Sequence, residues 1–143
     1  MPTASTEPGL AALALVALAI GAGGAAGAVA RLWVSDRLAR AAGLDFPWGT
    51  LAVNLAGALL IGALVGWRGL PAGQPAFDLA WAGLVIGLLG SFTTVSSFAL
   101  QTLQLVQTGH RRRAASNVLA TVGGGLVAGL AGLALGHLLG GGA

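Results

Sequence analysis

Gly90-Ser91-Phe92-Thr93-Thr94-Val95-Ser96-Ser97-Phe98 is the stretch on which the reading of this chain turns. It lies at the middle of residues 79–110, 32 positions without Asp, Glu, Lys or Arg. A helix needs about 20 apolar residues to cross the roughly 30 Å hydrocarbon core of a bilayer. The stretch therefore reads as a membrane span with five hydroxyls, on Ser91, Thr93, Thr94, Ser96 and Ser97, near its midpoint. As one helix it would be about 48 Å long, well over that thickness. A glycine followed by β-branched Thr-Thr-Val is also a poor helix interior. Both features predict a break between Gly90 and Thr94. A break frees carbonyls and N–H groups, which bilayer depth tolerates only where protein or an ion satisfies them. A lone Ser or Thr bonds back to the carbonyl four residues earlier and merely bends its helix. Five together at the midplane read as a functional site.

The rest of the chain supports a membrane setting. Of its 143 residues, 56% are hydrophobic and 8% charged. A soluble domain carries about 25% charged residues. A soluble globular enzyme is thereby excluded, and the apolar excess excludes disorder. Three further windows lack charge: residues 8–30, 46–67 and 114–143. The chain reads as one all-α domain with four spans, at about 9–33, 47–67, 79–107 and 114–139. The first is too long for a signal-peptide core, follows Glu7 rather than a basic segment, and runs into Arg31. Trp33, Trp48, Trp67 and Trp81 fall at the expected membrane edges. Pro47 suits a helix start, and Pro71 and Pro75 mark the second loop.

The 25 glycines recur at small-xxx-small spacing, as Gly23/Gly27, Gly62/Gly66, Gly83/Gly87, Gly125/Gly129 and Gly132/Gly136. Such spacing lets helix backbones approach closely in lipid. There is no internal repeat, and no low-complexity linker beyond Gly140-Gly141-Gly142. With no cysteine, there is no disulfide framework and no thiolate chemistry. The net charge of +3 comes from seven arginines against four acids. It reads as loop charge beside anionic lipid rather than a nucleic-acid groove.

No Asp, Glu, Lys or Arg lies within a window, so function rests on neutral polar groups. Asn54, near the middle of the second window, offers amide donors and an acceptor; it serves either permeation or a packing hydrogen bond. Asn117 and Thr121 share a face of the fourth span. Arg31 ends the first window, at snorkelling depth or an aqueous vestibule. His110 adjoins the arginine run, and His137 has no polar neighbour in the sequence.

At these residues the chain resembles the Fluc (CrcB) fluoride channels. Gly23-Gly24-Ala25-Ala26-Gly27-Ala28-Val29-Ala30-Arg31 is similar to their first-helix signature, and Gly49-Thr50-Leu51-Ala52-Val53-Asn54-Leu55-Ala56-Gly57 to their second-helix motif. Gly90 to Phe98 resembles their Gly-Gly-Phe-Thr-Thr-Phe-Ser-Thr-Phe motif, and Asn117 with Thr121 fits the polar stripe of the fourth helix more loosely. The resemblance implies a passive, fluoride-specific channel in the plasma membrane that lowers cytoplasmic fluoride. It implies an antiparallel dimer with two fluoride paths and a central structural sodium ion on backbone carbonyls. The sodium positions carried over are Gly90 and Thr93. The fluoride-path positions are Asn54, Ser96, Ser97, Phe98 and Thr121. Two residues depart from the pattern: Ser91 replaces a Gly, and Val95 replaces a Phe that lines the family's path.

Two other classes compete. A small multidrug exporter needs a buried carboxylate, and all four acids lie outside the windows. A non-transporting scaffold, or a half-competent partner subunit, is compatible with the glycine packing and with Val95. Charge adds to the second possibility. Loops one and three with their flanks carry Arg31, Arg37, Arg40, Arg111, Arg112 and Arg113, against Arg68 alone on the other side. By the positive-inside rule that bias predicts one fixed insertion. An antiparallel partner would then be a non-identical chain.

Overall fold

A computed structural model describes residues 9–69 and 78–140. Glu7, Pro71, Pro75, Gly141 and Gly142 lie outside the described residues. Among the described residues, four helices are long and apolar enough to cross a membrane. They are α1 (Leu10–Ala42), α2 (Trp48–Arg68), a third span Leu79–Gln107, and α5 (Arg111–Gly140). The third span is in two pieces, α3 (79–92) and α4 (Val95–Gln107).

α1 does not stop at Trp33. Residues 34–42 contain no Gly or Pro, so nothing local ends the helix before Gly43, whose φ of 83° suits glycine best. The charges expected in loop one therefore ride on helix, and the loop shrinks to 43–47. α4 ends in a Schellman motif: Gly109 N–H donates to the Val106 carbonyl at 3.1 Å and His110 N–H to that of Leu105 at 2.8 Å, with Gly109 at φ 83°.

The spans associate as two pairs, and glycine sets both approaches. In α1 against α3, a Cβ on Gly23 would collide with the Gly83 carbonyl, and one on Gly27 with that of Leu88. In α2 against α5, a Cβ on Gly62 would collide with the Gly129 carbonyl, and one on Gly132 with that of Leu59. Gly66 and Gly136 repeat the pattern one turn on, against Leu133 and Ala63. Gly125 is different: a Cβ there would meet nothing within 4 Å, so of Gly125/Gly129 only Gly129 takes part in packing among the described residues.

Residues 82–89 of α3 are π-helical, with Gly90 N–H shared between the carbonyls of Val85 and Gly87. No sequence feature had marked this. Trp81 is 8% exposed, so it is a packing residue and not an edge aromatic like the exposed Trp33, Trp48 and Trp67.

Loops one and three share an end, where Arg113 Nη1 donates to the Asp45 carbonyl at 3.2 Å. At the opposite end Arg68 pairs with Asp78 at 2.6 Å, and Asp78 also caps α3 through the Trp81 N–H. Little of the chain is buried. Large apolar side chains such as Leu18, Leu119, Val122 and Leu138 face outward, as expected where lipid is the solvent.

Candidate functional site

The break falls at Thr93 and Thr94, both extended, with ψ 159° and φ −153° respectively. Gly90 is helical, at φ −62° and ψ −36°. A Cβ on Gly90 would come no closer than 3.7 Å to a neighbour, so neither space nor conformation makes it the breakpoint. What holds the break open is Asn54, 40 residues away in sequence. Its Oδ1 accepts from the Thr94 N–H at 2.8 Å and its Nδ2 donates to the Thr94 carbonyl at 3.1 Å. The side-chain amide thus acts toward extended Thr94 as a neighbouring strand would. Thr93 is fixed from two sides: its hydroxyl bonds back to the Leu89 carbonyl at 3.1 Å, and its methyl fills the notch left by Gly57 of α2.

These bonds divert two helical donors. In a continuous helix the Thr94 N–H would close on the Gly90 carbonyl, and the Ser97 N–H on that of Thr93. The first goes instead to Asn54, and the second to Thr94 Oγ1 at 3.2 Å. The two carbonyls expected to meet a cation are thus the two whose helical donors have gone to side chains. On the other side of the break α4 begins, and the first N–H groups of a helix have no partner within it. One break therefore presents a carbonyl end, suited to a cation, and an N–H end, suited to an anion.

The hydroxyls can be followed proton by proton. Thr94 donates to Ser97 Oγ at 3.1 Å. A hydroxyl has one proton, so the 3.2 Å contact between Thr94 and Ser96 takes its proton from Ser96. The Ser97 hydroxyl proton is left uncommitted, as is the second N–H of Asn54. Asn54, Ser96 and Ser97 are therefore brought together, with Thr94 at their centre. Thr94 was missed as a site residue, although its place after a β-branched neighbour was a visible signal. Ser91 stands apart, against Gly24 of α1. Val95 is 79% exposed on the surface of the chain.

Phe98 and Thr121 belong to a second strip. Thr102 donates to the Phe98 carbonyl at 2.7 Å, so its oxygen accepts from Asn117 Nδ2 at 2.8 Å. Asn117 is fully buried, which makes it a packing amide between α4 and α5. Its Oδ1, Thr121 Oγ1 and Gln101 Oε1 are buried without a partner among the described residues. Gln101 lines a cavity of about 280 Å³ at the loop-one end, with Ser35, Asp36, Trp48 and Thr50. Gln101 and Thr102 were not recognised in the sequence, although Gln101 stands one helical turn after Ser97. His110 lies at the exposed end of loop three, where its Nδ1 sits 3.1 Å from the Thr108 hydroxyl.

Within the spans, Ser, Thr, Asn and Gln side chains other than Ser91 lie at the break or on one side of it. Residues 10–27, 55–66, 79–90 and 122–136 contain no Ser, Thr, Asn or Gln. Thr50, Ser97, Gln101, Thr102, Asn117 and Thr121 all lie between the break and the end where loops one and three meet.

Residues 18–133 match the family model described as CrcB-like protein, Camphor Resistance (CrcB). The chain is 43% identical over 122 residues to a fluoride-specific ion channel FluC of Rhodospirillum rubrum, covering 85% of this chain and 91% of that one. It is 42% identical over 124 residues to FluC 2 of Bradyrhizobium diazoefficiens, covering 87% and 90%. To FluC 2 of Natronomonas pharaonis it is 42% identical over 127 residues, covering 87% and 97%. These relatives are named as channels and not as enzymes. A multi-pass membrane chain built of four apolar helices, with this match over most of its length, belongs to the CrcB family of fluoride-specific ion channels.

Proposed function

We propose that this chain forms a passive fluoride channel of the plasma membrane, lowering cytoplasmic fluoride, and that it does so as an antiparallel dimer. The observation that carries the reading is the clamped break with its uncommitted Ser97 proton. A small, strongly hydrated anion needs donors to replace its water, and neutral donors release it more readily than a fixed cation would. Ser97 and the free N–H of Asn54 supply them, with Ser96 beside them on the path once its proton turns from Thr94 Oγ1, backed by the N-terminal end of α4. The Phe98 ring adds a positive edge, and Thr121 a buried hydroxyl with no partner among the described residues. One-sided polarity supports the dimer. A single chain carries polar groups through only half the bilayer, and an inverted second chain supplies the other half.

A structural sodium ion fits the carbonyl side of the break. The carbonyls of Gly90 and Thr93 would hold it, and it would supply fixed positive charge beside the anion path. Among the described residues no three His, Cys, Asp or Glu come together, so oxygen ligands of this neutral kind are the ones on offer to a hard cation.

The test is efflux from proteoliposomes loaded with fluoride. The chain should release fluoride and retain chloride. Retention of both, alone and with a candidate partner chain, would sink the reading. A second reading, a half-competent subunit paired with a non-identical chain, is favoured by exposed Val95 at the break and by the one-sided arginines. If Val95→Phe turns a silent chain into one that conducts alone, that reading holds. Full flux from the unsubstituted chain, with its C-terminus accessible equally from both sides, removes it.

A further inference from the structure

The channel reading leaves the arginine-bearing end of the molecule unused. α1 continues past Trp33 for nine residues, to Ala42. Trp33 is exposed, and an indole so placed on a spanning helix rests at the headgroup boundary. The continuation therefore lies at headgroup depth. Arg37 stands over the Trp33 ring at 4.9 Å, Arg40 follows one turn on, and all three are exposed. Two arginines beyond an interfacial indole form a face that meets lipid phosphate.

α5 contributes from the same end. It opens with Arg111, Arg112 and Arg113 and has no acid in its first turn. Cations there oppose the helix dipole. Arg113 is answered by Asp45. Arg111 and Arg112 are exposed and make no ion pair among the described residues. They border a recess of about 360 Å³ with Gly109 and His110. Asp36 and Asp45 are the acids of this end, set against six arginines, whereas at the opposite end Arg68 and Asp78 cancel. An excess of positive charge at headgroup depth, flanked by lipid-facing helices, fits an anionic leaflet and not a zwitterionic one.

We propose that this end is a docking surface for anionic phospholipid headgroups, with Arg37 and Arg40 of α1 and Arg111 and Arg112 of α5 carrying the charge. Thermal unfolding of the full chain in neutral detergent, titrated with phosphatidylglycerol or phosphatidylcholine, tests it without reference to fluoride. Phosphatidylglycerol should raise the midpoint, phosphatidylcholine should not, and high salt should abolish the difference. R37Q/R40Q and R111Q/R112Q should each weaken the apparent affinity for phosphatidylglycerol by about tenfold or more, while R68Q leaves it unchanged. The double variants are read separately, so a fold defect in one leaves the other decisive. Equal shifts from the two lipids, the same shift from inorganic phosphate, or an undiminished preference in both variants would overturn the proposal. Failure of fluoride flux would leave it standing.

Discussion

The two sides of the break are built on different terms. On the side of loops one and three, α4 meets α5 through Thr102 and Asn117, its Thr94 cap is held by Asn54 of α2, and a cavity opens beside Gln101. On the far side α2 and α5 touch backbone to backbone through Gly62, Gly66, Gly132 and Gly136, and nothing polar lies between them. The first arrangement keeps protons and lone pairs within reach of a passing ion. The second gives up side chains for closeness, which in lipid is a main source of helix association. If the proposed channel reading holds, stability and permeation are housed separately in this chain, so substitutions should sort by side.

The sharpest way to break that division is at the boundary itself. Asn54→Leu removes both bonds to Thr94 and leaves its N–H and carbonyl without their partner. Unsatisfied buried groups cost about 1–3 kcal/mol each, so a loss of about 2–6 kcal/mol in stability and abolition of flux are expected. Denaturant unfolding in detergent beside fluoride efflux would check both. A stable, conducting variant would show that the break is not held by Asn54.

On the dry side, Gly136→Val drives a side chain into the Ala63 carbonyl and the Trp67 amide. Overpacking of this kind costs about 1–3 kcal/mol, and flux per folded molecule should stay within about twofold of the parent. Gly125→Ala is its control, with open space around it and no change expected. A large drop in flux from Gly136→Val without loss of fold would break the comparison.

Ser97→Ala should do the reverse. It removes an uncommitted donor and leaves the α4 cap on Thr94 Oγ1 intact. Flux should fall about tenfold, equivalent to about 1.4 kcal/mol, with stability altered by less than about 1 kcal/mol. Efflux rates and unfolding midpoints measured on the same preparation separate the two effects.

The smallest effect is expected farthest from the break. Asp78→Ala removes the cap on the Trp81 N–H and the partner of Arg68. An N-cap contributes about 1 kcal/mol, and the ion pair little more, because Arg68 remains half exposed. Flux should not change.

Much of this was legible in the residues, for identifiable reasons. Charge-free windows bound spans because an ionised group is expensive at bilayer depth, and a break could be expected where β-branched residues follow a glycine. The length of α1 was not legible: charges were taken to end a helix, whereas only Gly43 does. The break falls at the Thr93–Thr94 edge of the expected range Gly90 to Thr94; its exact place depends on Asn54, a contact that sequence spacing does not show. The shared face of Asn117 and Thr121 was legible, but the burial of Asn117 was not, because its partner Thr102 sits on another helix. The π-helical stretch 82–89 left no mark in composition.

The Asn54 clamp also bears on how the chain is made. Its two halves come from different spans, and α2 leaves the ribosome before the residues it must bend. When Thr93 and Thr94 emerge, the amide that captures them is already in the bilayer, as N-terminal elements fold ahead of later ones. The third span therefore need not store its break in its own sequence. Made alone as a peptide, it should recover much of the straight helix that Asn54 denies it. In the growing chain, its shape is an instruction received from the span before it.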